Sequence, residues 1–155
     1  MQLTIIRAQP EHAARLTEIA VAAKSYWGYP EHWIRQWRAQ LTITPDYVRD
    51  HEVYAIANGD MLVGFYALKG EGSRLRLDHL WVQPEYIGTG VGRILFTHAL
   101  QRAAARSAEE IEIHADPHAA GFYRHMGAQQ IGEVDATIDD VERHLPIFVI
   151  RVLVT

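Results

Sequence analysis

The segment Tyr86-Ile-Gly-Thr-Gly-Val-Gly-Arg93 spaces glycines at 88, 90 and 92. Behind it stands LDHLWV (77–82), apolar and branched as a strand requires; ahead stands VGRILFTHALQRAAAR (91–106), with helical spacing. Val91, Leu95, Ala99 and Ala103, flanked by Phe96 and Leu100, would bury one face of that helix. A strand turning directly into a helix makes a mixed α/β chain, and the first N–H groups of the helix then point back at the turn. Two roles compete for the glycines. They serve a tight turn with close packing, or they bare a cradle of backbone N–H groups for a phosphate-bearing ligand. A dinucleotide fingerprint is excluded, because Arg93 stands where the third glycine of G-x-G-x-x-G belongs, and no Gly-Lys-Ser/Thr of a P-loop is present.

The rest of the chain alternates strands and helices without repeats. LTIIRA (3–8) reads as a strand and Pro10 to about Ala23 as a helix with Ala13, Leu16, Ile19 and Ala20 on one face. Residues 25–41 form a Gly-Pro-interrupted connection into a second helix, and Thr44-Pro45 opens a helical turn over 44–50. EVYAIANGDMLVGFYAL (52–68) is a hairpin joined at Asn58-Gly59, and GEGS (70–73) turns it into a third strand, 74–82. Strands are expected at 111–115, 128–134 and 147–154, with a short helix near 117–126. This is an α/β (α+β) pattern: a central mixed, mostly antiparallel sheet of about six to seven strands flanked by about four helices.

At 155 residues the chain suits one domain over 1–155. Its 48% hydrophobic and 22% charged content is that of a soluble globular protein. The absence of cysteine excludes disulfides, thiolate metal sites and a cysteine nucleophile, and fits a cytoplasmic location. The start meets Glu11 and His12 too early for a signal peptide, and no apolar run is long enough for a membrane partner. A net charge of −4 argues against nucleic acid and favours a small cationic partner. Either a monomer or a homodimer is compatible with these features.

LDHLWVQPEYIGTGVGRIL resembles motif A of the GNAT superfamily of N-acetyltransferases, and ADPHAAGFYRHMGAQQIGEV (115–134) resembles its motif B. The likeness covers nearly the whole chain. It implies a GNAT-like fold and acetyl-coenzyme A as co-substrate, with no metal. By this match, N–H groups of Gly88, Thr89, Gly90, Val91, Gly92 and Arg93 would hold the pyrophosphate, and Leu80, Trp81 and Val82 would pair with the pantetheine amides. Ile87, His118 and Phe122 complete the implied cofactor set; Ile87 replaces the usual Arg or Gln, and His118 the usual Asn. The implied reaction is transfer of acetyl to a primary amine, expected to belong to a small molecule. A non-catalytic acyl-coenzyme A sensor and an acetyltransferase of protein N-termini are the alternatives.

Such a transfer sets requirements of its own. A lysine-like amine, with a pKa of about 10.4, must lose a proton before it attacks. An oxyanion needs an N–H donor, and the departing thiolate benefits from a proton donor. Tyr123 matches the motif-B tyrosine and is the candidate acid, with a core aromatic beside Phe122 as the competing role. For the base, Asp78 leads over His79, Glu85 and plain water. The aromatic run Tyr26, Trp27, Tyr29, Trp33 and Trp37, broken by Gly28 and Pro30, suits core packing or the wall of an acceptor pocket. Related GNAT sequences line that pocket with this loop, and Arg143-His144-Leu145-Pro146 resembles another bordering segment. His114 and His118 lack the spacing of a metal site, and none of the three serines sits in G-x-S-x-G.

Overall fold

The computed structural model describes residues 1–152. Seven strands form one sheet in the order β1-β2-β3-β4-β5-β7-β6. They are β1 (Leu3–Arg7), β2 (Glu52–Asn58), β3 (Met61–Lys69), β4 (Arg74–Val82), β5 (Glu110–His114), β6 (Gln129–Ile138) and β7 (Val141–Arg151). The β4–β5 ladder is parallel, whereas β1–β2, β2–β3, β5–β7 and β6–β7 are antiparallel. Among the described residues five α-helices accompany the strands: α1 (Ala13–Tyr26), α2 (Glu31–Leu41), α3 (Pro45–Asp50), α4 (Val91–Ala105) and α5 (Ala120–His125). The mixed, mostly antiparallel sheet flanked by helices is the expected architecture. The chain divides into two compact units, one of 1–68 with 79–97 and one of 69–78 with 98–152.

In the first unit, α1 and α2 bury Leu16, Ile19, Ala20 and Leu41 in a cluster with Val53, Ala55 and Phe65 of the sheet. Thr17 ties this layer to the following loop, its hydroxyl oxygen accepting the Ile43 N–H at 2.9 Å. Gly28, at φ +82°, stops α1, and Thr44 caps α3 by accepting the Tyr47 N–H. The β2–β3 turn lies one residue beyond the expected Asn58-Gly59: Asn58 still pairs with Met61, and the loop is Gly59 and Asp60, with positive φ at Gly59 alone, as a II′ turn requires. In the second unit Leu75 lies in register with Ile111, and Ile113 with Phe148; all four are buried.

The last hairpin departs from the sequence expectation. Instead of separate strands at 128–134 and 147–154, β6 and β7 run together through 138 and 141 around Asp139-Asp140. Both aspartates have positive φ, 49° and 62°, which is the I′ geometry that twists with its strands. Pro146 argues against a strand there, yet β7 passes through it because pairing with β5 begins only at Ile147. Residues 141–145 pair with β6 alone; Pro146 lies opposite Glu133 of β6, and its carbonyl accepts the Ala115 N–H at 2.9 Å just past the end of β5. The expected strand residues 153–154 lie outside the described residues.

Candidate functional site

The loop after β4 is ordered by its own backbone. Gln83 N–H bonds to the Val63 carbonyl at 2.8 Å, and a 3₁₀ turn over Pro84–Tyr86 bonds Tyr86 N–H to Gln83 and Ile87 N–H to Pro84. The Tyr86 hydroxyl accepts from the Asn58 side chain at 2.9 Å, fastening this turn to the first hairpin. Gly88 and Gly90 hold φ of +81° and +94°, and a Cβ at either would meet nothing within 4 Å. These two glycines are therefore needed for conformation, and the space in front of them is open. Gly92 belongs to the first turn of α4. Ile94 N–H bonds to Gly90 C=O, so the N–H groups of Val91, Gly92 and Arg93 precede the first intrahelical bond of that kind. Val91 is buried, while Ile87, Thr89 and Arg93 are exposed. Open space, two left-handed glycines and the start of a 15-residue helix fit a diphosphate.

The strand leading into this loop is positioned by Gly64. A Cβ there would stand 3.0 Å from Leu95 Cδ1 and 3.1 Å from the Trp81 carbonyl oxygen, so its absence lets β3 lie close to both. The β4–β5 ladder takes in only Arg74–Arg76, and Leu80, Trp81 and Val82 lie beyond it on β4. The Trp81 indole N–H donates to His79 Nδ1 at 2.9 Å. A neutral imidazole accepting at Nδ1 carries its proton on Nε2, so His79 in this arrangement offers a donor and no free lone pair. It packs against Tyr47 and Phe65. Asp78 is mostly buried and lies 3.5 Å from the Lys69 ammonium.

Asp78 shares its strand with a polar row that the sequence reading missed. Arg76 donates to His114 Nδ1 at 3.0 Å, and His114 Nε2 donates to Glu112 at 2.8 Å, which holds the Glu112 carboxyl below its usual range. Arg74 bridges Glu110 and Glu112. The alternation of charge in RLRLD (74–78) and EIEIH (110–114) was the available signal; the parallel register, which pairs Arg74 with Glu110, was not readable from it.

In the second unit Tyr123 is buried at 6% exposure, with its ring 6.0 Å from Phe148 and edge-on to Phe122 at 5.2 Å. Burial pushes its phenol well above the ordinary value, so it stays protonated. Phe122 is half-buried. The turn before α5 is fixed by Asp116, which accepts from the His118 backbone N–H at 2.9 Å, contacts His118 Nδ1 at 3.0 Å and faces Arg143 at 3.7 Å. His118 is exposed, and its Nδ1 is directed at Asp116.

The aromatic run is gathered at the α1–α2 connection. Tyr29 packs edge-on against Trp37 at 5.0 Å, Trp33 lies 5.9 Å from Trp37, and Tyr26 meets Trp27 at 5.0 Å. Trp27, Tyr29, Trp33 and Trp37 are half-buried, while Tyr26 is 53% exposed. The Lys24 ammonium sits over the Trp37 and Tyr29 rings at 4.4 and 5.0 Å. On the last hairpin, Glu133, Asp135 and His144 bring ligand-type atoms within 4.8 Å of one another. All three are exposed, and a cross-strand His–Asp contact of 2.8 Å accounts for the grouping.

Residues 28–139 match the family profile described as the acetyltransferase (GNAT) domain. The chain belongs to the GNAT acetyltransferases. As a member, it is an acetyltransferase that takes acetyl-coenzyme A as donor. Among relatives of this GNAT chain, the peptidyl-lysine N-acetyltransferase YjaB of Salmonella typhimurium is 28% identical over 149 residues, covering 95% of this chain and 96% of that one. The Escherichia coli K12 protein of the same name is 32% identical over 93 residues, 60% of this chain and 58% of its own. In fold, the GNAT chain is similar to the PaiA N-acetyltransferase of Thermoplasma acidophilum, solved with coenzyme A. The TM-score is 0.80 at 18% identity, with 97% and 99% of the two chains covered. No helix among the described residues is long and apolar enough to cross a membrane.

Proposed function

We propose that this chain acetylates a lysine-like primary amine by direct attack on acetyl-coenzyme A, with residues 1–155 acting as one catalytic domain. The observation that carries the reading is the loop at 86–93, where left-handed glycines open onto free space at the start of a long helix. Bound there, the donor supplies an activated thioester carbonyl. The N–H groups of Gly88 and of Gly90 to Arg93 hold its diphosphate, whereas the Thr89 N–H already donates to the Tyr86 carbonyl at 3.3 Å; Leu80–Val82 offer amides along the pantetheine, and His118 and Phe122 border it. Tyr123 donates a hydrogen bond to the departing sulfur. Because a phenol above 10 is a weaker acid than a thiol near 8.5, its contribution is stabilisation of negative charge more than full transfer of its proton. Asp78 remains the proposed base. Its contact with Lys69 makes water, relayed to solvent, the reading it must outcompete.

Two acceptor classes share this chemistry. The aromatic residues Tyr26, Trp27, Tyr29 and Trp33 suit a small amine with an apolar body. Relatives named as peptidyl-lysine acetyltransferases favour a lysine within a polypeptide. The deciding experiment measures thiol release from acetyl-coenzyme A with a panel of small amines in one arm and lysine-containing peptides in the other. Release in either arm supports the transfer and assigns the acceptor. Release in neither, with acetyl-coenzyme A shown to bind, would reduce the chain to a sensor of acyl-coenzyme A.

A further inference from the structure

A cavity of about 580 Å³ lies against α1 and α2, within the size range of small-molecule sites. Its walls are mainly apolar, from Val21, Ile34 and the Tyr29 ring, with Ser25 on one side. Its charged residues are Glu31, Arg35 and Arg38. Glu31 lies 3.5 Å from Arg35 and offsets that guanidinium in part. Arg38 makes no ion pair among the described residues, and its backbone carbonyl accepts from the Thr42 hydroxyl at 2.7 Å. The Lys24 ammonium, held over Tyr29, adds positive charge beside the same ring. In a chain of net charge −4, this is a local cationic site with an apolar floor.

From this combination we infer that the α1–α2 cavity binds a small organic carboxylate with an aromatic or aliphatic body. The body lies against Val21, Ile34 and Tyr29, and the carboxylate meets the Arg38 guanidinium. A planar guanidinium is the side chain best matched to a carboxylate, through two parallel N–H···O bonds. A cation is disfavoured by Arg35, Arg38 and Lys24 together, and a neutral ligand forgoes the charge-assisted hydrogen bond to Arg38.

The probe is 2-naphthylacetate, followed by amide chemical shifts in the intact chain with saturating coenzyme A present. The expected result is shifts concentrated in residues 21–38 and a dissociation constant of about 1 mM or tighter, as its atom count allows. The neutral analogue 2-naphthaleneethanol should bind several-fold more weakly. Arg38→Ala should weaken the acid by about tenfold, the scale of a hydrogen bond to a charged group. Glu31→Gln should tighten it, and Ser25→Trp should block it. Equal binding of the alcohol and the acid would overturn the inference, as would shifts centred outside 21–38 or an unchanged affinity in Arg38→Ala. So would no response at about 5 mM, five times the weakest affinity expected. Should Ser25→Trp fail to fold, the two probes and the exposed Arg38 and Glu31 variants still decide the matter.

Discussion

At the scale of single residues, two side chains give opposite kinds of test. Tyr123→Phe deletes one hydroxyl from a buried ring packed on Phe148, so the fold and cofactor affinity should persist. If the phenol stabilises the departing sulfur, turnover under conditions where chemistry limits the rate should fall by about 10²–10⁴. Full turnover in pre-steady-state assays would assign Tyr123 to packing. His144 offers a pH test. Its hydrogen bond to Asp135, and then the charge of Asp135, raise its pKa above the ordinary 6.5. Protonated His144 is thus favoured in the folded chain. Its stabilising contribution is fully present below about pH 6.5, the unfolded value, and is lost as pH rises through the higher folded value. Imidazole proton shifts followed by NMR should show the raised midpoint, and Asp135→Asn should bring it back down. An unchanged midpoint in that variant would leave the Glu133 and Glu142 charges as its source.

At the scale of elements, glycine placement separates what the sequence disclosed from what it hid. Asn58-Gly59 between two apolar runs announced its hairpin, and Thr44-Pro45 announced the start of α3, because each signal is local and its partner lies within three residues. The Gly88–Gly92 loop was legible for the same reason. Asp139-Asp140 was not. An aspartate tolerates positive φ less readily than glycine, and the apolar alternation that frames a hairpin is broken by Glu142, Arg143 and His144. Gly64 was invisible too, since the reason for it, the approach of Leu95 and Trp81, is made by residues more than fifteen positions away. Likewise the Lys69 contact of Asp78, and the burial of Tyr123, follow from tertiary placement and carry no local mark. Two glycine variants test this division. Gly64→Ala should destabilise the chain by about 1–3 kcal/mol in urea unfolding, because the new methyl must displace a backbone oxygen and a packed leucine. Gly90→Val strains a φ of +94° and fills the space before the helix, so it should abolish acetyl-coenzyme A binding in calorimetry while the protein stays folded. Unchanged affinity would leave the glycines a turn role only.

At the scale of the whole molecule, the donor is a thermodynamic ligand before it is a reactant. A chain whose loop and helix start are proposed to hold the diphosphate binds the donor in the folded state and not in the unfolded one, where the left-handed glycines and the helix no longer coexist. Mass action then stabilises the native state by about 2.7 kcal/mol at a hundred times the dissociation constant. For a chain of 155 residues this corresponds to a rise in melting temperature of about 5–10 °C. Coenzyme A without the acetyl group should reproduce most of the rise, because the diphosphate and pantetheine contacts do not depend on the acetyl carbon. Pantetheine alone should give little, since it lacks the group that the 86–93 loop is proposed to hold. Scanning calorimetry against ligand concentration checks all three together. Equal shifts from coenzyme A and pantetheine would move the main binding energy away from the glycine loop and onto Leu80–Val82. No shift from acetyl-coenzyme A near millimolar concentration would remove the donor itself, and with it the catalytic reading of Tyr123 and Asp78.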